Sequence, residues 1–209
     1  MITPQTVIDN IHRSPSSVYQ YHLRTTFFSA FKAGWTSLYT AFPDQIRYGR
    51  AVPNESVVMS IRDPYHRFAS QWCWLWNSGV DHDPVVKHYW HLLEGVQSRD
   101  PVHAATTYLK SVHPIIEHWC GELHLVSQSR ALESLVWQTP VRDVRFVSIL
   151  DFGQVLSEDY GYHHYQQRGQ RPNPYTELFR PIEDLVRETF AQDQRRWESV
   201  SLGINNICV

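Results

Sequence analysis

The run Ser56-Val57-Val58-Met59-Ser60-Ile61-Arg62 constrains this chain more than any other segment. It is apolar at successive rather than alternate positions, so neither face can be left to water. Such a strand belongs inside a parallel sheet that helices cover on both sides. The next residues suit that placement. Asp63 can cap a helix, and Pro64 suits the first helical position, where its missing amide would have had no partner anyway. The predicted helix runs through Trp76, with Gly79 near its end. The same grammar occurs earlier in the chain. Thr25 to Phe31 is β-branched and aromatic and reads as a buried strand, Ala33-Gly34-Trp35 makes the turn, and Thr36 to Phe42 starts a helix that Pro43 stops.

The rest of the sequence extends this pattern. Residues 5–13 read as a short opening helix, broken at Ser14-Pro15-Ser16-Ser17. From Asp83 to Cys120 the pattern is helical and His-rich, interrupted at Asp100-Pro101 and His113-Pro114. Leu123 to Val126 and Val144 to Leu150 read as strands, with a helix from Arg130 to Trp137 between them. A long amphipathic helix, Thr176 to Glu198, closes the chain, with Leu178, Ile182, Leu185, Val186, Thr189, Phe190 and Trp197 toward the core. Strands alternating with helices predict an α/β fold with a central, mainly parallel sheet flanked by helices. No repeat and no linker divides the 209 residues, which read as a single domain over 1–209.

Composition excludes several classes. A formal charge of -2 gives no cationic field for non-specific binding of nucleic acid. No segment approaches the roughly 20 apolar residues of a membrane span, and no basic, then apolar, leader opens the chain, so a soluble, cytoplasmic protein is expected. Cys73, Cys120 and Cys208 are odd in number and widely spaced, which favours reduced thiols over a disulfide framework. Trp72, Trp74, Trp76, Tyr89 and Trp90 are expected chiefly to pack their helices onto the sheet, or else to stack on a sugar or aromatic acceptor.

The two turns carry the chemistry. In Lys32-Ala33-Gly34-Trp35-Thr36-Ser37 the start of a helix attracts a phosphate, Gly34 permits close approach of the backbone, and two hydroxyls and a mobile ammonium add donors. The Walker A order, a glycine separated by four residues from a Gly-Lys pair, is absent, which disfavours a nucleoside triphosphatase. In Arg62-Asp63-Pro64-Tyr65-His66-Arg67-Phe68-Ala69-Ser70, Arg62 stands at a strand's C-terminal end, where parallel sheets bind ligands. Ser70 lies about two helical turns on, so it can meet Arg62 only on something outside the helix. Arg67 reads equally as part of that charged turn or as half of a surface salt bridge.

Phe31-Lys32-Ala33-Gly34-Trp35-Thr36-Ser37-Leu38 resembles the 5′-phosphosulfate loop of sulfotransferases that use 3′-phosphoadenosine 5′-phosphosulfate (PAPS), and Arg62-Asp63-Pro64 with Arg67 and Ser70 resembles their 3′-phosphate motif R-D-P-x-x-R-x-x-S. The nearest likeness is to the carbohydrate (Golgi-type) branch; it spans roughly residues 25–200. The resemblance implies a P-loop-like three-layer fold, PAPS as donor, adenosine 3′,5′-bisphosphate (PAP) as product, and a carbohydrate or small-molecule acceptor sulfated on a hydroxyl or amine. It places Lys32 on the bridging and leaving oxygens, Ala33, Gly34, Trp35, Thr36 and Ser37 around the 5′-phosphate, and Arg62 and Ser70 on the 3′-phosphate. Arg168, Gly169 and Arg171 would fold over the nucleotide. Because Lys32 can supply the positive charge, no metal is expected.

The acceptor also needs a base. Family members keep a His or Glu between the two motifs, whereas residues 38–61 hold no His and only Asp44 and Glu55 as acids. His113 and His118 are then the preferred candidates, followed by His66, His88 and His91. Two alternatives stand beside sulfuryl transfer: a P-loop kinase-like phosphotransferase, and a degenerate member that binds nucleotide without turnover.

Overall fold

β-branched and aromatic residues build one sheet. The structure, a computed structural model, describes residues 16–20, 23–30, 32–48, 51–74, 100–119, 126–162 and 173–203, with the main chain alone at 16–20, 47–48 and 118–119. Its five strands are β1 (Ser16–Gln20), β2 (Thr25–Ser29), β3 (Ile46–Tyr48), β4 (Ser56–Ile61) and β5 (Asp143–Ser148), in the order β3-β1-β2-β4-β5. The pairings β2–β4 and β4–β5 are parallel, and β1 runs antiparallel to both β2 and β3. The sheet is therefore mixed: three parallel strands with an antiparallel extension, where a mainly parallel sheet was expected. The reason is local. Four residues separate β1 from β2, enough for a hairpin and far too few for the crossover that a parallel pair requires. Ser16 and Ser17, expected to break a helix, open β1 instead.

Helices cover both faces. α1 (Trp35–Ala41) and α6 (Phe152–Glu158) lie on one side, where Leu38, Phe42, Phe152 and Leu156 pack on Phe27, Val58 and Val147. On the other, α2 (Pro64–Trp74), α3 (Pro101–Thr107), α4 (His113–Trp119), α5 (Gln128–Val136), α8 (Glu183–Thr189) and α9 (Ala191–Ser201) contribute to a larger core over Phe28, Val57, Met59, Ile61, Val144 and Phe146. Neighbouring residues such as Phe27 and Phe28 go to opposite cores because strand side chains alternate. β4 is buried at every position, which its unbroken apolar run required.

Two helical segments depart from expectation. α3 and α4 are joined by a π-helical turn, Tyr108–Val112. Pro114 follows at once, and the widened turn relieves the clash of its ring with the preceding one. The C-terminal helix is not continuous. α7 (Pro174–Leu178) ends before a 3-10 turn, Arg180–Ile182, that contains Pro181, and α8 and α9 break again at Phe190. Ile182, Val186 and Phe190 face the core as expected, but Leu178 is 40% exposed and Phe179 is buried in its place. Residues 5–13 and Leu123 to Leu125 lie outside the described residues. Among those described, no helix is long and apolar enough to cross a membrane.

Two buried charges fix α5 and α9 against the sheet. Asp193, 1% exposed, accepts from the Gln128 amide (2.7 Å), the Ser129 amide (2.7 Å) and Ser129 Oγ (2.5 Å), so a side chain of α9 caps α5. Arg67 is also 1% exposed and donates to the Val126 carbonyl at 2.9 Å. Burial pushes its guanidinium down to about 10, with Asp193 opposing. Arg67 is thus neither a surface ion pair nor an open ligand group; it is part of the core. Asp193→Ala should lower stability by about 3 kcal/mol, because it orphans two buried amides and a hydroxyl, and Asp193→Asn by less. Urea denaturation of the two variants checks the ranking.

Candidate functional site

β2 and β4 are parallel neighbours, so the turns after them emerge side by side at one edge of the sheet. Arg62 joins them: its Nη1 donates to the Lys32 carbonyl at 2.9 Å. The Lys32 turn is held from beneath as well. Ser29 and Ser60 are register partners with Oγ atoms 2.6 Å apart, and Ser60 Oγ lies 2.6 Å from the Ala33 carbonyl. A carbonyl only accepts, so Ser60 donates to Ala33 and Ser29 donates to Ser60. The Ala33 amide closes back on the Ala30 carbonyl at 2.9 Å.

These contacts hold an unusual backbone. Lys32 has φ 63° and Gly34 φ 109°. A bulky side chain in the left-handed region costs of order 1 kcal/mol and persists where neighbours over-determine it. For Gly34 the conformation, not the space, requires glycine: a Cβ there would meet its nearest atoms, Ser29 Oγ and Ser60 Oγ, at an ordinary 3.5 Å. Thr36 is exposed and Ser37 buried on α1, while Trp35 stacks on Tyr39 with ring centres 4.1 Å apart.

The Lys32 side chain leans toward α2, with Nζ 5.7 Å from the Trp74 ring centre. Burial draws its ammonium below the ordinary lysine range; Cys73 opposes this and Arg62 reinforces it. Ser70 lies one turn before Trp74, so Ser70, Cys73 and Trp74 share the face of α2 whose C-terminal end meets the lysine. Burial also lowers Arg62, with Asp63 opposing, and its Nε is buried with no hydrogen-bond partner among the described residues. Lys32, Gly34 and Arg62 thus come together at the C-terminal ends of β2 and β4.

Arg62 is in turn set by a residue the sequence did not single out. Gln128, fully buried, accepts from the Arg62 amide through Oε1 (2.9 Å) and donates to the Arg62 carbonyl through Nε2 (2.8 Å). Its side chain continues the ladder of β4 where the strand has ended. Asp63 caps α2 as expected, accepting from the His66 amide at 2.9 Å, and also meets Arg187 of α8 at 3.1 Å. Burial works to raise its carboxyl, but the His66 amide and Arg187 outweigh it and leave it lowered. Trp72 is buried against Phe68, Tyr108 and Phe179, in keeping with a packing role.

The candidate bases separate. His113 is 3% exposed and enclosed by Phe190, Tyr108 and Glu117, whose Oε2 is 3.9 Å from His113 Nε2. Burial, with Arg67 nearby, pushes it down to about 4, so the imidazole is neutral near pH 7 but packs by Tyr108, Phe190 and Glu117 rather than beside Lys32. Glu55 pairs with Arg24 at the opposite end of the strands, next to Thr25 and Ser56. Asp44 is exposed beyond α1. His66 is exposed beside Arg62, its Nδ1 3.0 Å from Asp63 Oδ1. The His118 side chain, His88, His91, Arg168, Gly169 and Arg171 lie outside the described residues. Family models, curated proteins and solved structures were compared with this chain, and none matches.

His113 makes stability depend on pH. The unfolded chain takes up this proton near pH 6.5, the folded chain only near pH 4. Its contribution is full above about pH 6.5 and is lost as pH falls toward 4, up to about 3 kcal/mol. Glu117, whose carboxyl burial raises despite two bonds from Ser127, works in the opposite sense. In urea titrations across this range, His113→Phe should lose less stability on acidification than the unaltered chain.

Proposed function

We propose that this chain transfers a sulfuryl group from PAPS to a hydroxyl or amine of a carbohydrate or small molecule, and that its fold is P-loop-like. The observation that carries this is the bond from Arg62 to the Lys32 carbonyl, which joins two phosphate-suited turns directly. A donor with a phosphosulfate at one end and a 3′-phosphate at the other needs both turns together. A strained backbone at Lys32, held by Arg62 and the serine pair, is further support, since such strain collects at ligand sites.

In this mechanism the acceptor oxygen or nitrogen attacks sulfur while the bond from sulfur to the bridging phosphate oxygen breaks. The sulfuryl group passes to the acceptor, the acceptor's proton to a base, and PAP departs with the electron pair. Lys32 stabilises the charge that develops on the leaving oxygen. Partial burial makes that ammonium more effective than one in water, because less solvent must reorganise around it. Arg62 and Ser70 take the 3′-phosphate; the planar guanidinium suits two phosphate oxygens, and the Lys32 carbonyl already fixes its orientation.

A second reading has its own observation. The burial of His113 takes one of the two preferred bases away from Lys32 and Arg62, which favours a protein that binds the nucleotide without turnover. Calorimetric titration with PAP and with ATP tests the donor site common to both. PAP should bind at least about tenfold more tightly than ATP, and Arg62→Ala should weaken PAP by about ten- to a hundredfold. Equal affinity for ATP, or indifference to the 3′-phosphate, would overturn the assignment. If PAP binds and sulfate transfer occurs, Lys32→Ala should abolish transfer with the fold retained; PAP binding without transfer to any acceptor selects the second reading.

A further inference from the structure

A cavity of about 870 Å³ opens between the π-helical turn, α4, α5 and α8, and it shares no lining residue with the Lys32 and Arg62 turns. We propose that this cavity is a second binding site, for a small organic ammonium ion with an aromatic or branched apolar body. Such a site stands whether or not the chain transfers a sulfuryl group.

The cavity has the size and lining for such a guest. Its volume falls within the roughly 300–1,000 Å³ of small-molecule sites. Leu109, buried, and Leu185, half-buried, give it an apolar wall, and Trp137 stands at its margin with 47% of its surface exposed. An indole open beside a concavity offers a face for an apolar ring or a cation. The π-helical turn contributes directly, since it places Leu109 and Lys110 on the cavity just ahead of His113.

Charge selects among ligands. The wall carries three carboxylates, Glu117, Glu133 and Glu188, against two cations, Lys110 and Arg130. Arg130 is already bonded to Glu133 at 3.1 Å. His113 adds no charge near pH 7. Among the lining side chains Lys110 is left against Glu117 and Glu188, an excess of one carboxylate on the wall, although the buried guanidinium of Arg67 opposes the Glu117 charge from within. An anion would meet two carboxylates, whereas an ammonium ion can reach one of them and the Trp137 face together.

Glu117 adds a signature. Burial raises its carboxyl, with Asp193 adding to this, while Ser127 and Arg67 oppose it. A cation beside it favours the ionised form, so binding should expel protons and strengthen as pH rises through the Glu117 titration. His113 faces Glu117 from α4, but burial pushes its titration down, opposite to the direction in which Glu117 is shifted.

The test uses the full chain and three probes of one shape: 2-phenylethylammonium, 2-phenylethanol and 3-phenylpropionate. Calorimetry should show the ammonium binding at least about tenfold more tightly than either of the others, with a change in tryptophan fluorescence. Trp137→Ala and Glu188→Gln alter side chains at the rim of the cavity, so both variants should fold normally and bind PAP as before, yet hold the ammonium at least about fivefold more weakly. The proposal fails if the three probes bind alike, if the propionate binds best, or if neither variant weakens the ammonium. It fails too if the ammonium does not saturate the protein by about 10 mM, an affinity too weak for a formed site.

Discussion

The bond from Arg62 to the Lys32 carbonyl is the contact on which the site depends. Lys32 cannot hold a left-handed backbone by itself, and α1 cannot begin where it does unless Ala33 and Gly34 are fixed. Arg62 clamps the turn from above, and the Ser29–Ser60 pair clamps it from below. Each clamp draws on β4 or its end, so the geometry of one phosphate-suited turn is set by the other. The parallel register of β2 and β4 makes this possible, because it brings Ser29 level with Ser60 and delivers both chain turns to one edge.

Arg62 is itself held by groups that belong to neither turn. Gln128 bonds its main chain on both sides, Asp193 holds the Gln128 amide, and Asp193 belongs to the last helix. Burying Asp193 and Arg67 is costly unless their remaining hydrogen-bonding capacity is used, and here it is used on main-chain amides and a carbonyl. Such an arrangement adds little net stability over apolar packing, but it admits few alternatives, since any shift of α9 leaves a charge unpaired. Glu117 does the same for Ser127, accepting from both its amide and its hydroxyl, and so ties α4 to the start of α5. α5 thus carries Gln128, which sets Arg62, as well as Arg130 and Glu133, which line the cavity.

Much of the local structure was legible in the sequence. The all-buried run of β4, the Asp63 cap with Pro64 behind it, the turn at Gly34 and most of the strand expected over Val144 to Leu150, which ends at Ser148, all arise from patterns that act within about ten residues. Misreadings arose where distant partners decided the outcome. Ser16 and Ser17 look like a helix break, yet they pair with Tyr48 and Arg47 in a strand whose direction the short hairpin dictates. Leu178 keeps the helical period of the closing segment but is turned outward by the break ahead of Pro181. Arg67 looks like a surface cation because its acceptor, the Val126 carbonyl, lies 59 residues away.

Local patterning along the chain puts Lys32 and Arg62 at the ends of two buried strands, each leading into a helix. That much rests on hydrophobic period, capping and turn chemistry, which are short-range. Only the tertiary structure decided what those two residues do to each other, which histidine is open and which is sealed in the core, and that Gln128 rather than any charged group sets Arg62. The physical reason is that hydrogen bonds and burial depend on distance in space, and the groups concerned lie 30 to 66 residues apart along the chain.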